Sequence, residues 1–290
     1  MDELEALELL QQQIPKAGDD CGIIDDTAIT TDMLHERTDF PDGISAYTVG
    51  WRSLGVSLSD IAAVGADPIG GVAVYAAPAF RKEALQAFLS GAVDICEAVE
   101  TEYIGGDLDT HSELTVVSTV IGRTTKPVSR SGANIGDHVC VTGTLGRSAA
   151  GVEYFQNDTP AKGNELFQFE PRVESGKILR NYATSMIDSS DGLARSLHQL
   201  AHKSNCGFSI QSDRIPIDEA VYATTESDSR AQELAIKFGE DFELIWTIPE
   251  DDIGEVQRKI PVQVSDIGIV TDNDVKLDGE PLANTGWTHG

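Results

Sequence analysis

Two mixed α/β domains are predicted for this chain, on three observations. Apolar residues at helix spacing alternate with strand-like runs from end to end. A polar stretch at 124–136, carrying Pro127 and two glycines, interrupts that alternation and is the candidate junction. The 290 residues, 40% of them hydrophobic, suffice for one large domain or two ordinary ones with real cores. The expected division is 1–124 and 125–290.

An amphipathic pattern over 3–13 predicts a first helix, followed by Gly18-Asp19-Asp20 and two short strands near 22–25 and 27–32. Between Ile44 and Ala66 the residues Val49, Leu54, Val56, Ile61, Ala62 and Val64 fit a buried helix, stopped by Gly65-Ala66-Asp67-Pro68. A strand at 70–76, a helix at 81–100 and an alternating strand at 114–122 complete the first block. Within it, Tyr103-Ile104 runs into Gly105-Gly106-Asp107, read as a strand end. The second block opens at Asp137, with a strand at 138–142, helices near 146–155, 172–182 and 193–204, and strands near 207–211, 241–248 and 264–270. Residues 223–230 read as an exposed loop or helix start, and no repeat or low-complexity tract is present.

Composition excludes several classes of function. Forty-eight acidic against 21 basic residues give a formal charge of -27 with no basic stretch, so nucleic acid is not an expected partner. No run approaches the roughly 18 apolar residues of a membrane span. The acidic segment MDELEALELL is unlike a cationic secretory signal, so the cytoplasm is the expected location. Cys21, Cys96, Cys140 and Cys206 are far apart, without a C-x-x-C pair, and read as small buried hydrophobes. So acidic a surface fits a cell with high internal salt, where screening relieves self-repulsion. Stability is therefore expected to rise with KCl in equilibrium unfolding, and a protein equally stable without salt would contradict this.

Neither G-x-x-x-x-G-K-[ST] nor G-x-G-x-x-G occurs, and no G-x-S-x-G elbow or Ser-His-Asp set stands out. Instead, aspartates recur at predicted strand ends and turns: Asp19-Asp20, Asp32 after Thr30-Thr31, Asp60, Asp107 after two glycines, and Asp188 with Asp191. Magnesium takes hard oxygen ligands, commonly one or two carboxylates plus substrate phosphates, so dispersed aspartates can together hold metal against a triphosphate. Any one Asp-Gly or Gly-Asp pair taken alone reads as a turn or helix cap, so only the combination points to metal. In Ile187-Asp188-Ser189-Ser190-Asp191-Gly192 an apolar strand end meets a helix at once, and Asp191 or Ser190 also fits an N-cap. The run 141–151 reads as a strand, a Gly-rich turn and a helix N-terminus, which can bind an anion or serve tight packing. Arg123 and Arg130 can reach phosphate or act as counter-charges. His198 and His202 have i, i+4 spacing but no evident third ligand, and read as a solvated face.

Taken in order, Gly18-Asp19-Asp20, Thr30-Thr31-Asp32, the segment from Ser57 to Pro68, Gly105-Gly106-Asp107, Arg130-Ser131-Gly132-Ala133, Ile187 to Gly192 and Gly239 to Leu244 resemble the thiamine-monophosphate kinase family, over nearly the whole chain. The resemblance extends to the superfamily of aminoimidazole ribotide synthetase, selenide water dikinase and hydrogenase maturation proteins. It implies two α/β domains of that kind, a homodimer whose N-terminal sheets pair, ATP bound between domains, and Mg2+. It implies that Asp20, Thr30, Thr31, Asp32, Asp60, Asp107, Asp188 and Asp191 hold magnesium, and that Gly106, Asp107, Arg130 and Ser190 face ATP. Glu240 and Trp287 are implied to lie near the thiamine moiety, with Asp39 at a further substrate position. The implied reaction moves a phosphoryl group from ATP to thiamine monophosphate, an acceptor already ionised near neutral pH.

Two positions depart from the family pattern: Asp39-Phe40 replaces a histidine before phenylalanine, and Phe238 replaces the first of two glycines before Glu240. A carboxylate at 39 can still accept a hydrogen bond, with a charge and reach unlike imidazole. The reactive cysteines expected of a selenide kinase or a hydrogenase maturation protein have no counterpart: Cys21 merely follows Asp20, and the chain ends Gly286-Trp287-Thr288-His289-Gly290. The alternatives are a nucleotide-binding scaffold of the same superfamily and a kinase for another small molecule. Retention of every expected magnesium aspartate argues against the scaffold, because clustered carboxylates without a cation are destabilising.

Overall fold

The central element is a helix that is buried nearly all round. A computed structural model describes residues 6, 9–10, 12–14, 17–272 and 274–287. After strands β1 (Gly22–Ile24) and β2 (Thr27–His35), Ser45 starts helix α1 (Ala46–Ala63) by accepting the Thr48 N–H at 3.1 Å. The helix ends where Gly65 turns left-handed at φ +66, just before Asp67-Pro68. Helices apolar on every side belong in a core, but α1 also buries Arg52, Ser53, Ser57 and Ser59. Buried polar groups must be paired, and their partners define the site described below.

β3 (Asp67–Ala77), α2 (Lys82–Ala98), β4 (Tyr103–Thr110) and β5 (Thr115–Arg123) complete the first half. The sheet order is β1-β2-β5-β3-β4, antiparallel except for the β3/β4 pair. α1 packs on one face of this sheet and against α2 behind it. The two helices meet at glycines: a Cβ on Gly50 would lie 2.0 Å from the Phe88 carbonyl oxygen, and one on Gly91 2.0 Å from that of Tyr47. The opposite face leaves Met33, Val74 and Ile121 exposed.

β6 (His138–Thr142), α3 (Arg147–Gln156), α4 (Pro160–Phe167), α5 (Val173–Leu179), β7 (Ser185–Asp188), α6 (Leu193–Ser204), β8 (Gly207–Ile210), α7 (Glu219–Thr224), α8 (Asp228–Lys237), β9 (Leu244–Ile248), α9 (Glu250–Lys259), β10 (Val264–Thr271), β11 (Lys276–Leu277) and β12 (Glu280–Pro281) form the second half. Its sheet runs β12-β11-β8-β10-β6-β9-β7. One apolar core joins the halves, because Leu54 and Ile61 of α1 cluster with Phe169, Met186, Leu244 and Trp246. α1 also touches β7 and α5, so it lies where the two sheets' functional ends converge.

Gly105-Gly106-Asp107 lies inside β4 rather than at a strand end. The glycines permit this: a Cβ on Gly106 would fall 1.7 Å from the Ala73 carbonyl oxygen, so only glycine allows β4 to pair so closely with β3. Residues 241–243 do not extend β9, because Phe242 is left-handed at φ +54. Helices α4, α7, α8 and α9 were not resolved from the sequence, apart from the helix start expected near 223–230. Of the N-terminal helix, residues 6, 9, 10, 12 and 13 are helical, and the rest of 3–13 lies outside the described residues. Cys21, Cys96 and Cys140 are buried free thiols, whereas Cys206 is half-buried.

Candidate active site

Three elements bring carboxylates together beside the buried end of α1. Asp60 comes from its last turn, Asp188 from the end of β7 and Asp20 from the loop before β1. One oxygen of each lies within 4.8 Å of the others, the one such acidic, His or Cys group among the described residues. Each acid is oriented by a neighbour. Thr30 Oγ1 donates to Asp60, Ser59 Oγ to Asp188 at 2.5 Å, and Ser57 Oγ to the adjoining Asp32 at 2.6 Å. Arg130 forks onto Asp20 with Nη2 at 2.7 Å and Nε at 3.3 Å, and its Nη1 reaches Gln199 at 2.8 Å.

The cluster carries more negative charge than its surroundings stabilise. Burial, then the Asp20 charge, pushes the Asp188 carboxyl up to about 8. Burial and then the charges of Asp32, Asp188 and Asp20 hold Asp60 well above the usual carboxylate range, and burial raises Asp32 too. Burial works against the Arg130 charge, but Asp20 outweighs it and raises the guanidinium's pKa. A set of convergent, protonation-prone oxygens with hydroxyl support fits a hard divalent cation.

A second group of expected residues is tied to the first through the backbone. The Glu240 N–H donates to Ser190 O at 2.6 Å, the Phe242 N–H to Ser189 O at 3.2 Å and the Ser189 N–H to Glu243 O at 2.8 Å. The Trp287 N–H reaches Asp191 O at 3.1 Å, and Gln199 Nε2 lies 3.5 Å from Asp191 Oδ2. Main-chain hydrogen bonds therefore tie the loop after β7 to the loop before β9. Glu240 pairs with Arg52 at 3.0 Å; burial lowers the Arg52 pKa, and the charges of Glu240 and, more weakly, Asp39 oppose that. Asp39 is buried, with Oδ2 accepting the His35 N–H at 2.6 Å and the Thr38 hydroxyl at 2.8 Å.

Other expected residues lie apart. β2 alternation places Thr30 with α1 and turns Thr31 outward, where its hydroxyl donates to Ser118 O at 2.8 Å. Gly106 and Asp107 sit on edge strand β4, and Asp107 is exposed and outside the three-acid group. The N-cap of α6 is Gly192, neither Ser190 nor Asp191. The N-terminus of α3 is already closed by the protein's own carboxylate: Asp241 accepts the Gly146 N–H at 2.6 Å and the Ser148 N–H at 3.1 Å. His198 Nε2 bonds Leu282 O at 2.8 Å, away from the cluster. Sequence reasoning missed Arg52, Ser57 and Ser59 as parts of the site. The available signal was polarity on faces of α1 that its apolar spacing marks as buried.

Residues 18–124 match the family model "AIR synthase related protein, N-terminal domain", and residues 134–279 match its C-terminal counterpart. The chain is 50% identical over 291 residues to thiamine-monophosphate kinase of Halobacterium salinarum, covering 100% of both chains. It is 39% identical to that of Methanospirillum hungatei, over 100% of this chain and 99% of the other. The solved structure of AaThiL complexed with AMPPCP and TMP superposes with a TM-score of 0.91 at 26% identity, covering 100% of this chain and 97% of that one. Two AIR synthase related domains, an acidic cluster where they meet and full-length similarity to these enzymes make the chain a member of the thiamine-monophosphate kinase family.

Proposed function

We propose that this protein transfers the γ-phosphoryl group of ATP directly to thiamine monophosphate, giving thiamine diphosphate and ADP. The observation that carries this reading is the hydrogen-bonded unit joining the loop of Asp188, Ser190 and Asp191 to the loop of Glu240 and to Trp287. It holds a metal-binding edge and an acceptor-binding edge in fixed relation, which is what in-line transfer between two bound anions needs. The full-length similarity to thiamine-monophosphate kinases supports the choice of acceptor.

Asp20, Asp60 and Asp188, with Asp32 beside them, are the residues that would hold Mg2+, and Asp191 flanks them. The bound ion would offset the mutual repulsion of donor and acceptor phosphates. Arg130 and Ser190 would face the nucleotide. The Arg130 fork, set on Asp20 and Gln199, is already fixed in orientation, so little order is lost on binding. Glu240, Trp287 and Asp39 would line the acceptor. An acceptor phosphate ionised near neutral pH needs no protein base, so positioning and charge supply the acceleration. Incubation with ATP, Mg2+ and thiamine monophosphate, followed by chromatography, should yield thiamine diphosphate and ADP in equal amounts. ATP binding without product would favour a scaffold.

The exposed apolar face of the first sheet supports a homodimer paired through that sheet, a placement that leaves the α1 side clear. Asp107, Gly106 and Thr31 lie on the edge strand or outer face of this sheet, so their assigned ligand roles depend on that assembly. Ile121→Asp should convert a dimer to a monomer by light scattering, and an unchanged dimer would contradict the placement. The division at 124/125 is supported by the gap between β5, ending at Arg123, and β6, starting at His138. We place the enzyme in the cytoplasm, where ATP is made. No helix among the described residues is long and apolar enough to cross a membrane.

A further inference from the structure

Arg52 is the most deeply buried basic side chain among the described residues, only 1% exposed, yet the phosphoryl-transfer reading gives it no part. Its Nη2 donates to Glu240 Oε2 at 3.0 Å and its Nη1 to the Phe167 carbonyl oxygen at 3.1 Å. Its Nε has no hydrogen-bond partner. Aromatic faces surround the guanidinium instead, with ring centroids 4.5 Å away at Phe167, 5.5 Å at Phe169 and 5.6 Å at Phe242. Phe169 and Phe242 stack on each other at 4.3 Å. Nearby, Trp51 Nε1 and Gln168 Nε2 also tie segment 167–169 to α1, at 2.6 and 2.9 Å. The segment where α4 ends is therefore secured without the Arg52 charge.

Beyond its bond to the Phe167 carbonyl, the guanidinium holds Glu240. That residue is left-handed at φ +58, as is Phe242 at φ +54, a backbone state that side-chain-bearing residues adopt only when their surroundings over-determine it. The Glu240 main chain is fixed by Ser190 O and by the Ser148 hydroxyl on its carbonyl at 2.6 Å. Its side chain is 20% exposed, and the carboxylate is held by Arg52. A buried ion pair seldom adds net stability over apolar packing, so an arginine inside a phenylalanine cage calls for another explanation. Burial lowers the Arg52 pKa, while Glu240 foremost, then Asp39 and Asp241, raise it. The same cation is thus felt by both acids expected to meet the acceptor.

We infer that Arg52 is a positioning residue for the phosphate acceptor: its guanidinium aims the Glu240 carboxylate, so that acceptor affinity depends on it and nucleotide affinity does not. The inference rests on the acceptor-side reading of Glu240. Arg52→Met keeps the stem and fills the cage without the fork, and Arg52→Lys keeps the charge without the planar geometry.

Calorimetric affinities of the full-length protein for thiamine monophosphate and for ATP·Mg2+, with melting temperature alongside, test it. Arg52→Met is expected to weaken thiamine monophosphate binding about tenfold or more, the scale of a charge-assisted hydrogen bond, and leave ATP affinity nearly unchanged, with a lower melting temperature because the Glu240 carboxylate and the Phe167 carbonyl lose their partner. Arg52→Lys should recover part of the loss. If Glu240→Gln weakens acceptor binding and Arg52→Met does not, the inference falls while the function stands. If Glu240→Gln has no effect, or the wild type does not bind thiamine monophosphate, the acceptor-side reading falls first and takes the inference with it. Loss of both affinities together with melting temperature assigns Arg52 a structural role only. If Arg52→Met fails to fold, Arg52→Lys carries the comparison, and wild-type acceptor affinity in that variant overturns the inference.

Discussion

Asp188→Asn and Asp60→Asn should each reduce the turnover of thiamine monophosphate by roughly 10²–10³ at saturating substrates, the scale on which preorganised charge acts in catalysis. Both substitutions preserve shape, and both keep an oxygen for Ser59 or Thr30 to bond. What they remove is one negative oxygen from a set whose members lie within 4.8 Å of one another. Relieving repulsion in the cation-free protein should at the same time raise its melting temperature, because each wild-type carboxyl is destabilised as an anion. Opposite signs for activity and stability separate a cation site from a structural network, in which both would fall. Steady-state rates with thermal unfolding of the same samples check this. An Asp188→Asn enzyme that is equally active would remove the acid from the site.

Gly91→Ala is expected to destabilise the fold by about 3 kcal/mol or more, although helix propensity alone would favour alanine by about 1 kcal/mol. Packing decides the sign. The added Cβ would stand 2.0 Å from the Tyr47 carbonyl oxygen and 2.9 Å from the Trp51 nitrogen, backbone atoms of α1 that cannot swing aside. α1 would have to move off α2, and it carries Arg52, Ser57, Ser59 and Asp60. Activity should therefore fall well below the melting temperature, as the cluster loses its geometry before the chain unfolds. Denaturant unfolding and rates at moderate temperature measure the two effects, and a stabilised variant would contradict the close crossing.

The long elements of the first half were legible because apolar spacing and stop signals agreed. α1 was placed within two or three residues by its buried stripe and by Gly65-Ala66-Asp67-Pro68. β4 was not, because a Gly-Gly pair reads as a turn unless one knows that it allows close approach to Ala73. The order of the motifs put Asp20, Asp60 and Asp188 in one expected set with Thr30, Thr31, Asp32, Asp107 and Asp191, of which the fold gathers the first three into one acidic group while Thr31 and Asp107 lie apart. Their partners were less visible. Ser57 and Ser59 look like ordinary small residues in a helix, and Arg52 looks like a surface counter-charge until α1 is known to be surrounded. The turn before α3 could bind an anion by local geometry, but a carboxylate from 95 residues away, Asp241, fills it. No local pattern carries that information. Burial pushes Asp241 itself up to about 7, against the pull of those two N–H groups.

A magnesium titration tests the central claim, that the three-acid cluster is a cation site, most directly. With Asp188 raised to about 8, the cation-free protein holds a proton there at neutral pH, and burial and neighbouring charges shift Asp60 in the same direction. Since the folded pKa of Asp188 exceeds the unfolded one, its contribution to stability is complete below the unfolded value of 3.8 and is lost as pH rises through about 8. Mg2+ should reverse that loss, stabilise the fold more strongly as pH rises, and displace protons as it binds. Calorimetric titration of Mg2+ near pH 7 in two buffers of different ionisation enthalpy should show net proton release, reduced in Asp188→Asn. Magnesium binding without proton release, or release unchanged in Asp188→Asn, would place the cation elsewhere.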